Sequence, residues 1–299
     1  MGISISNAAL LMAAKENGVN FSHTATLGAQ TFWPEYKKFN YLLKIFNWPD
    51  NAEAIFRKIG NNGSLFFEYL GAESVVEIDA SSYEGAQVIH DMNNPLPDSL
   101  AGKFDCVFDG GTLEHIYNFP QAVENIFRML KKNGTFISST IANNIMGHGF
   151  YQFSPELFYR VFAEKNGWNT KTVMLCEHQL SPPRFWRVDD PMKVGSRLEV
   201  QNSSQLYLMI ITQKIRNELN FQTPQQSDYA SVWNSGNGNA VLPKTHPIQL
   251  IIRKINNRIR KALKISSIFP KLPATLEKKA KSLNQNGIHR ISLDSLKDL

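Results

Sequence analysis

The sequence predicts an α/β fold with a mostly parallel, doubly wound sheet, and three neighbouring segments carry this prediction. Phe104–Phe108 is a short apolar run that ends in an Asp-Gly-Gly turn, which is typical of a buried parallel strand. Apolar residues then recur at helical spacing over Phe119–Leu130, and a second β-rich run covers Thr135–Ile141. Strand, helix and strand in this order form one βαβ unit.

Composition favours one large domain with an appendage. The chain has 299 residues, a formal net charge of +6 and 42% hydrophobic residues. Cys106 and Cys176 lie inside apolar runs, which indicates buried small hydrophobes rather than a disulfide or a reactive thiol. No apolar run reaches the roughly 18–20 residues that span a bilayer, and no secretory signal is evident. The sequence therefore predicts a cytoplasmic protein, with membrane contact at most peripheral.

The positive charge is concentrated in one segment. Arg253–Lys281 is strongly basic, while the remainder of the chain is slightly acidic. This distribution argues against a protein that binds nucleic acid over its whole surface, so no nucleic-acid partner is expected, and it indicates a local role for the tail.

The elements before the central unit follow from local signals. Ser6–Glu16 is predicted as a helix with Ser4 or Ser6 as its cap, and Phe21–Leu27 as a strand that ends at Gly28. The aromatic-rich segment 32–70 has a mostly helical pattern. Glu73–Asp79 is a second strand that ends in a carboxylate, and only a short loop, without a helix, connects it to the next β-rich segment at 86–91.

The elements after the central unit end in two more strands. A loop with His148 between two glycines precedes a helix that Ser154-Pro155 begins, because serine caps helices and proline fits their first position. Thr170–Glu177 and Gln205–Thr212 are the last predicted strands. Between them, Gln179–Ser204 is long for a loop and contains arginines and aromatic residues, so it is interpreted as an acceptor-binding lid or as a packed surface loop.

The central unit resembles the fourth strand, the following helix and the fifth strand of class I S-adenosylmethionine-dependent methyltransferases. The matching residues read FDCVFDGGTLEHI and AVENIFRMLKKNGTFIS, with Asn133 where the family usually has the first glycine of a Gly-Gly pair. The resemblance implies a Rossmann-like, seven-stranded sheet, with helices at the N-terminus and S-adenosylmethionine as cofactor. The resemblance covers roughly residues 21–215. Composition and apolar spacing then divide the chain into a methyltransferase-like domain at 1–220, a linker at 221–246 and a basic, amphipathic helical tail at 247–299.

The resemblance also implies the cofactor site. Asp79 would accept hydrogen bonds from the ribose hydroxyls, and Asp91 and Met92 would meet the adenine edge, with Ala80 near its face. A plain turn is the alternative at Asp91 and Met92, since Asp and Asn favour turns, but the strand order favours cofactor contact.

Two glycine-containing strand ends complete the expected cofactor site. Ligands of open α/β sheets bind outside the carboxyl ends of the strands, which selects Asp109 and Gly110. Gly28 stands where the family has a Gly-x-Gly-x-Gly loop around the methionine part of the cofactor, and the chain departs from that pattern. An ordinary strand-end glycine remains the alternative there.

Two histidines are candidates for a general base. Unperturbed histidine titrates near neutral pH, and His148 lies in the loop that flanks the methyl acceptor in the resembling fold. His115 is the second candidate, although Glu114 and His115 also suit a helix cap. The histidines and cysteines show no metal-ligand spacing, so no metal site is predicted.

The leading hypothesis is methyl transfer to oxygen or nitrogen of a small-molecule or glycan-like acceptor. The alternative is a degenerate methyltransferase fold that acts as a binding or scaffold protein without catalysis, anchored by its tail. The tail pattern suits an anionic membrane surface, docking on its own domain or docking on a protein partner, and 278–299 is expected to be mobile. A nicotinamide-dependent dehydrogenase is less favoured, because no Gly-x-Gly-x-x-Gly follows a strand.

Overall fold

The computed structural model describes residues 2–48, 51–177, 182–219, 221–234 and 287–299. The strands are β1 (Gly2–Ile3), β2 (His23–Leu27), β3 (Thr31–Phe32), β4 (Ser74–Asp79), β5 (Val88–Ile89), β6 (Phe104–Asp109), β7 (Leu130–Asn143), β8 (Trp168–Glu177), β9 (Arg184–Val188), β10 (Leu206–Lys214) and β11 (Ile288–Ile291). The helices are α1 (Ile5–Glu16), α2 (Tyr36–Ile45), α3 (Ala52–Ile59), α4 (Gly63–Tyr69), α5 (Phe119–Met129), α6 (Pro155–Val161), α7 (Pro191–Val194) and α8 (Ser227–Asn234).

Nine of the described strands form one mixed sheet, in the spatial order β11-β9-β8-β10-β7-β6-β2-β4-β5. The five strands from β7 to β5 pair in parallel, so their carboxyl ends lie at one edge. β10 runs antiparallel between β7 and β8, and β9 and β11 extend the far side with antiparallel pairings. The remaining strands, β1 and β3, pair with each other outside this sheet.

The sheet lies between two helical layers. Successive side chains of a strand point to opposite faces, and β8 shows this alternation. Val173 and Leu175 pack with α5 and α6 on one face, whereas Met174 and Cys176 pack with α1, α2 and α4 on the other. Both cysteines are buried and free, as predicted.

The helices predicted before the tail are confirmed, with small shifts at their ends. α1 begins after Ser4, whose Oγ accepts a hydrogen bond from the Asn7 N–H at 3.2 Å. α5 ends one residue before the predicted Leu130, and no helix lies between β4 and β5. No helix within the described ranges is long and apolar enough to cross a bilayer.

The prediction of seven strands is wrong, because the described residues contain a nine-stranded sheet. One additional strand, β9, lies inside the predicted lid 179–204. Phe185 and Trp186 are buried in the cores of the two faces, so they pack the domain rather than face an acceptor. Arg184 forms an ion pair with Glu177 of the neighbouring strand at 2.5 Å.

The other additional strand, β11, lies in the segment expected to be mobile. It pairs with β9 from Ile288 opposite Val188 to Ile291 opposite Phe185. Leu296 then packs, fully buried, in the cluster that contains α1. The last residues are therefore part of the fold, since their backbone completes the sheet edge and their apolar side chains enter the core.

The rest of the predicted tail cannot be compared with the structure. Residues 235–286, which include most of the basic amphipathic segment, lie outside the described residues. Within the predicted linker, 227–234 form α8.

Truncating the buried Leu296 should destabilise the whole domain. Leu296→Ala removes a fully buried side chain, and such changes cost about 2–5 kcal/mol. The free energy of unfolding of the full-length protein in urea measures this loss. Asp298→Ala, an exposed change two residues away, is the matched control. Equal midpoints for the two variants would contradict the docking of the C-terminal residues.

Candidate active site

The carboxyl ends of four parallel strands lie side by side. Leu27 at the end of β2 pairs with Ile78 of β4 and with Asp109 of β6, and Asp109 pairs with Ser138 of β7. This register brings most of the predicted cofactor residues to one edge of the sheet: Gly28, Asp79, Ala80, Asp91, Asp109 and Gly110.

The loop after β2 is shaped by one glycine and one glutamine. Gly28 is buried with φ 76°, a conformation that favours glycine, and its N–H donates to the Ile78 carbonyl at 2.6 Å. The Gln30 Nε2 donates to the carbonyls of Leu27 at 2.9 Å and Gly28 at 3.3 Å. The other amide atom, Gln30 Oε1, is buried and has no partner among the described residues.

The amide of Gln30 lies directly against Gly110. A Cβ at position 110 would overlap Gln30 Oε1 and would also meet the Phe108 ring at 2.9 Å, so only glycine leaves room for the amide. A buried acceptor without a donor costs about 1–3 kcal/mol. A ligand that offers an N–H group at this edge would remove that cost. Sequence reasoning missed Gln30, although it stands in the loop that departs from the family's glycine pattern.

Asp79 lies at the end of β4, half-buried. Its Oδ1 accepts the N–H of Ser81 at 3.1 Å, and its carbonyl accepts the N–H of His90 at 2.8 Å. Oδ2 has no hydrogen bond within the described residues. Ala80 is exposed beside it. One oxygen of the carboxylate is therefore available to hydroxyl groups of a ligand.

The loop after β5 is held by α5. Asp91 Oδ1 accepts the backbone N–H and the Nδ2 of Asn93 at 2.9 and 2.7 Å, and these bonds hold the pKa of Asp91 below its usual range. Asn125, fully buried on α5, donates to the carbonyls of Met92 at 3.2 Å and Asn94 at 2.8 Å. The side chain of Met92 points into the core. Asp91 thus lies at the edge of the sheet, while Met92 brings only its backbone close to it.

Asp109 is fully buried and serves the turn that follows β6. Its Oδ2 accepts the Ser138 hydroxyl at 2.7 Å, and its Oδ1 accepts the N–H groups of Thr112 at 2.7 Å, Gly111 at 3.2 Å and Leu113 at 3.3 Å. Burial raises the pKa of Asp109, although these hydrogen bonds oppose the rise. Asp109 therefore fixes the conformation of the turn after β6 from the buried side of the site.

Glu114 is a second buried carboxyl on the same turn. The Thr140 hydroxyl donates to its Oε2 at 2.5 Å. Burial and the negative charge of Asp109 raise the pKa of Glu114 to about 7. Sequence reasoning considered Glu114 only as a helix cap, because the proximity of Thr140 comes from the pairing of β6 with β7.

The two predicted catalytic histidines lie next to each other. His115 follows Glu114 on the turn, His148 lies in the loop after β7, and their ring centroids are 5.2 Å apart. Both are exposed, and partial burial and the neighbouring His148 lower the pKa of His115. The loop is fastened to the turn because the N–H groups of Phe150 and Tyr151 donate to the Glu114 carbonyl at 2.7 and 3.2 Å.

Three potential metal ligands meet here, although their spacing in the sequence predicted none. One ligand atom each of Glu114, His115 and His148 lies within 4.8 Å of the others. Glu114 and His115 are adjacent, but His148 is distant in the sequence, so no local pattern could reveal the group. Tyr117 and Phe150 have exposed fractions of 72% and 69%. Their rings contact each other edge to face, with centroids 6.0 Å apart, and add an apolar surface beside the histidines.

Comparison with known proteins agrees with the sequence resemblance. Residues 83–180 match a family model described as a methyltransferase domain. This segment includes β5 to β8, α5, α6 and both histidines. Residues 83–180 are thus similar to a methyltransferase domain, in agreement with the resemblance seen in the sequence. No curated protein sequence matches the chain.

Solved structures with weak similarity have related descriptions. One is a candidate methyltransferase from Bacillus halodurans, with 12% identity, 71% of this chain and 100% of that chain covered and a TM-score of 0.40. Another is the 1,6-didemethyltoxoflavin-N1-methyltransferase of Burkholderia thailandensis, with bound 1,6-didemethyltoxoflavin and S-adenosylhomocysteine. It has 11% identity and a TM-score of 0.38, and the match covers 72% of this chain and 80% of that chain. A third is a 16S rRNA (adenine(1408)-N(1))-methyltransferase from Catenulisporales acidiphilia. It has 11% identity and a TM-score of 0.35, and the match covers 68% of this chain and 90% of that chain.

Gly149 should be irreplaceable in the histidine loop. Its φ is 102°, and a Cβ would lie 2.8 Å from the Glu114 carbonyl oxygen. Gly149→Ala should therefore lower the free energy of unfolding by about 1–3 kcal/mol more than Gly147→Ala, measured in urea. Gly147 shares a positive φ of 89° but has open space around it, so it controls for the backbone cost alone. Equal losses would show that the loop is not packed against Glu114.

Proposed function

We propose that this chain transfers the methyl group of S-adenosylmethionine to oxygen or nitrogen of a small-molecule or glycan-like acceptor. The observation that carries the proposal is the edge of the parallel strands. There the unsatisfied Gln30 Oε1 lies against Gly110, and the adjoining turn leads to the neighbouring histidines. The matched methyltransferase domain supports the same reaction class.

The residues at the edge suit the cofactor in three places. Gln30 Oε1 is a buried acceptor that an ammonium group would satisfy, which compensates for the lack of a glycine-rich loop beside Gly28. The free oxygen of Asp79 can accept from ribose hydroxyls, with Ala80 exposed beside it. The loop at Asp91, together with the backbone of Met92, would border the adenine, and Gly110 leaves room for the Gln30 amide beside the methionine end.

The protein's part in the reaction is alignment and proton removal. Bound S-adenosylmethionine supplies a methyl group that its sulfonium already makes electrophilic. His148 would take the proton from the attacking hydroxyl or amine, with His115 beside it as the second candidate. Asp109 and Glu114 hold the turn from the buried side, and Tyr117 and Phe150 offer aromatic surface to the ring of an acceptor.

A second function is a binding or scaffold protein with this fold and without catalysis. The observation that favours it is Gln30, which stands in the loop after β2, where the resembling family has glycines, and packs its amide against Gly110. The basic segment within 247–299 would then be the anchor, to an anionic membrane or to a protein. That role of the tail, and a cytoplasmic location, stay predictions from the sequence.

Asp79→Ala should weaken S-adenosylmethionine binding. Losing hydrogen bonds to a charged acceptor costs about 1.5–3 kcal/mol, which is roughly tenfold or more in the dissociation constant. Calorimetric titration of the full-length protein measures it. Glu73→Ala, at an exposed residue just before the amino end of the same strand, is the matched control and should bind like the wild type. The scaffold function is favoured if the wild type shows no heat of binding at several temperatures and its melting temperature does not change when the cofactor is added.

His148→Ala should reduce methyl transfer without changing cofactor affinity. A general base contributes roughly 10²–10⁴-fold to the rate. Transfer of a labelled methyl group to a panel of sugars, phenols and amines first identifies an acceptor. The turnover rates of the wild type and the variants are then measured with that acceptor. His23→Ala, in an exposed histidine at the amino end of β2, is the control. Turnover of His148→Ala at the wild-type rate would remove His148 from the mechanism.

A further inference from the structure

We infer that Glu114, His115 and His148 bind a divalent transition-metal ion. Their ligand atoms lie within 4.8 Å of one another, and together they offer two imidazole nitrogens and one carboxylate oxygen. Zinc binds such ligands at about 2.0–2.2 Å, so small rotations of the two exposed rings would close the group onto one ion. Three protein ligands leave a coordination position open, which is the arrangement of catalytic rather than structural zinc sites.

Glu114 is already oriented as a ligand. Thr140 donates to Oε2 at 2.5 Å, and Oε1 lies on the side of Gly111, where a Cβ would be 3.2 Å away. A hydrogen-bonded carboxylate of this kind is typical of metal sites, because the second partner fixes its direction. The backbone bonds from Phe150 and Tyr151 to the Glu114 carbonyl fix the distance between the turn and the loop that carries His148.

The local charges favour a cation. Asp109 and Glu114 are both buried, and their hydrogen-bond partners are hydroxyls and backbone N–H groups. Within the described ranges, no lysine or arginine forms an ion pair with either carboxylate, and no hydrogen bond occupies the ring nitrogens of His115 or His148. Two buried carboxylates without a counter-charge are costly, and a bound cation would compensate them.

The site is open to solvent on the histidine side. His115 and His148 are exposed, and the aromatic pair Tyr117 and Phe150 lies beside them. An acceptor hydroxyl in the open coordination position would lose its proton to solvent water more readily, because a bound metal lowers the pKa of an oxygen ligand. This consequence rests on the proposed function, and in it the histidines act as ligands in place of a free base. Metal binding itself does not depend on methyl transfer.

The test is zinc binding to the full-length protein, freed of any affinity tag and treated with a chelator. Calorimetry should show one equivalent of Zn²⁺, and Co²⁺ should give the visible absorption of a low-symmetry site. His148→Ala and Glu114→Gln should each weaken binding at least tenfold, whereas His23→Ala should bind like the wild type. Far-UV circular dichroism checks folding. If Glu114→Gln does not fold, the exposed His115→Ala and His148→Ala carry the test.

Each outcome decides the inference separately from the proposed function. Saturable binding that these variants abolish supports the site, even if S-adenosylmethionine does not bind. Binding that is absent, exceeds one equivalent without saturating, or is unchanged in His148→Ala overturns it. Cofactor binding by a protein that ignores zinc would overturn the metal site alone and leave His148 as the base.

Discussion

The buried carboxylate of Asp109 is the constraint on which the candidate site depends. It accepts hydrogen bonds from Ser138 on the neighbouring strand and from three successive N–H groups of the turn after β6. The hydroxyl of Thr112, in the same turn, donates to the Leu27 carbonyl at 2.7 Å, so three strand ends are joined. Burying a carboxylate is unfavourable unless such bonds compensate it. The positions of Glu114 and His115 follow from this network.

The parts of the fold that sequence could predict are those with local causes. The strand at Phe104–Phe108 and helix α5 are evident from apolar spacing, and the Asp and Asn residues near Asp91 mark a turn that the structure contains. Asn133 has φ 68°, which explains its presence where the resembling family has glycine, since asparagine tolerates this conformation better than most residues. Such signals are short-range, and no knowledge of the partner strands is needed to interpret them.

The parts that sequence could not predict depend on pairing across the chain. β9 is only five residues long and follows two prolines, and it becomes a strand because β8 and the distant β11 cover its two edges. Its arginines and aromatic residues suggested an exposed lid, but Trp186 is buried, so this part of the segment packs into the domain. The same holds for the site, since the contact of His148 with His115 requires the loop after β7 to return to Glu114.

Gln30 bears on whether this edge is a working cofactor site or a filled remnant of one. A side chain that only filled space beside Gly110 could be apolar, which would avoid the cost of a buried polar group without a partner. Gln30 instead uses Nε2 to bind two carbonyls and leaves Oε1 buried and unpaired. The amide cannot reverse without placing its oxygen against those carbonyls. An unpaired acceptor at the carboxyl ends of parallel strands is costly unless a donor reaches it. This unpaired acceptor supports the proposed cofactor site over a filled remnant of one.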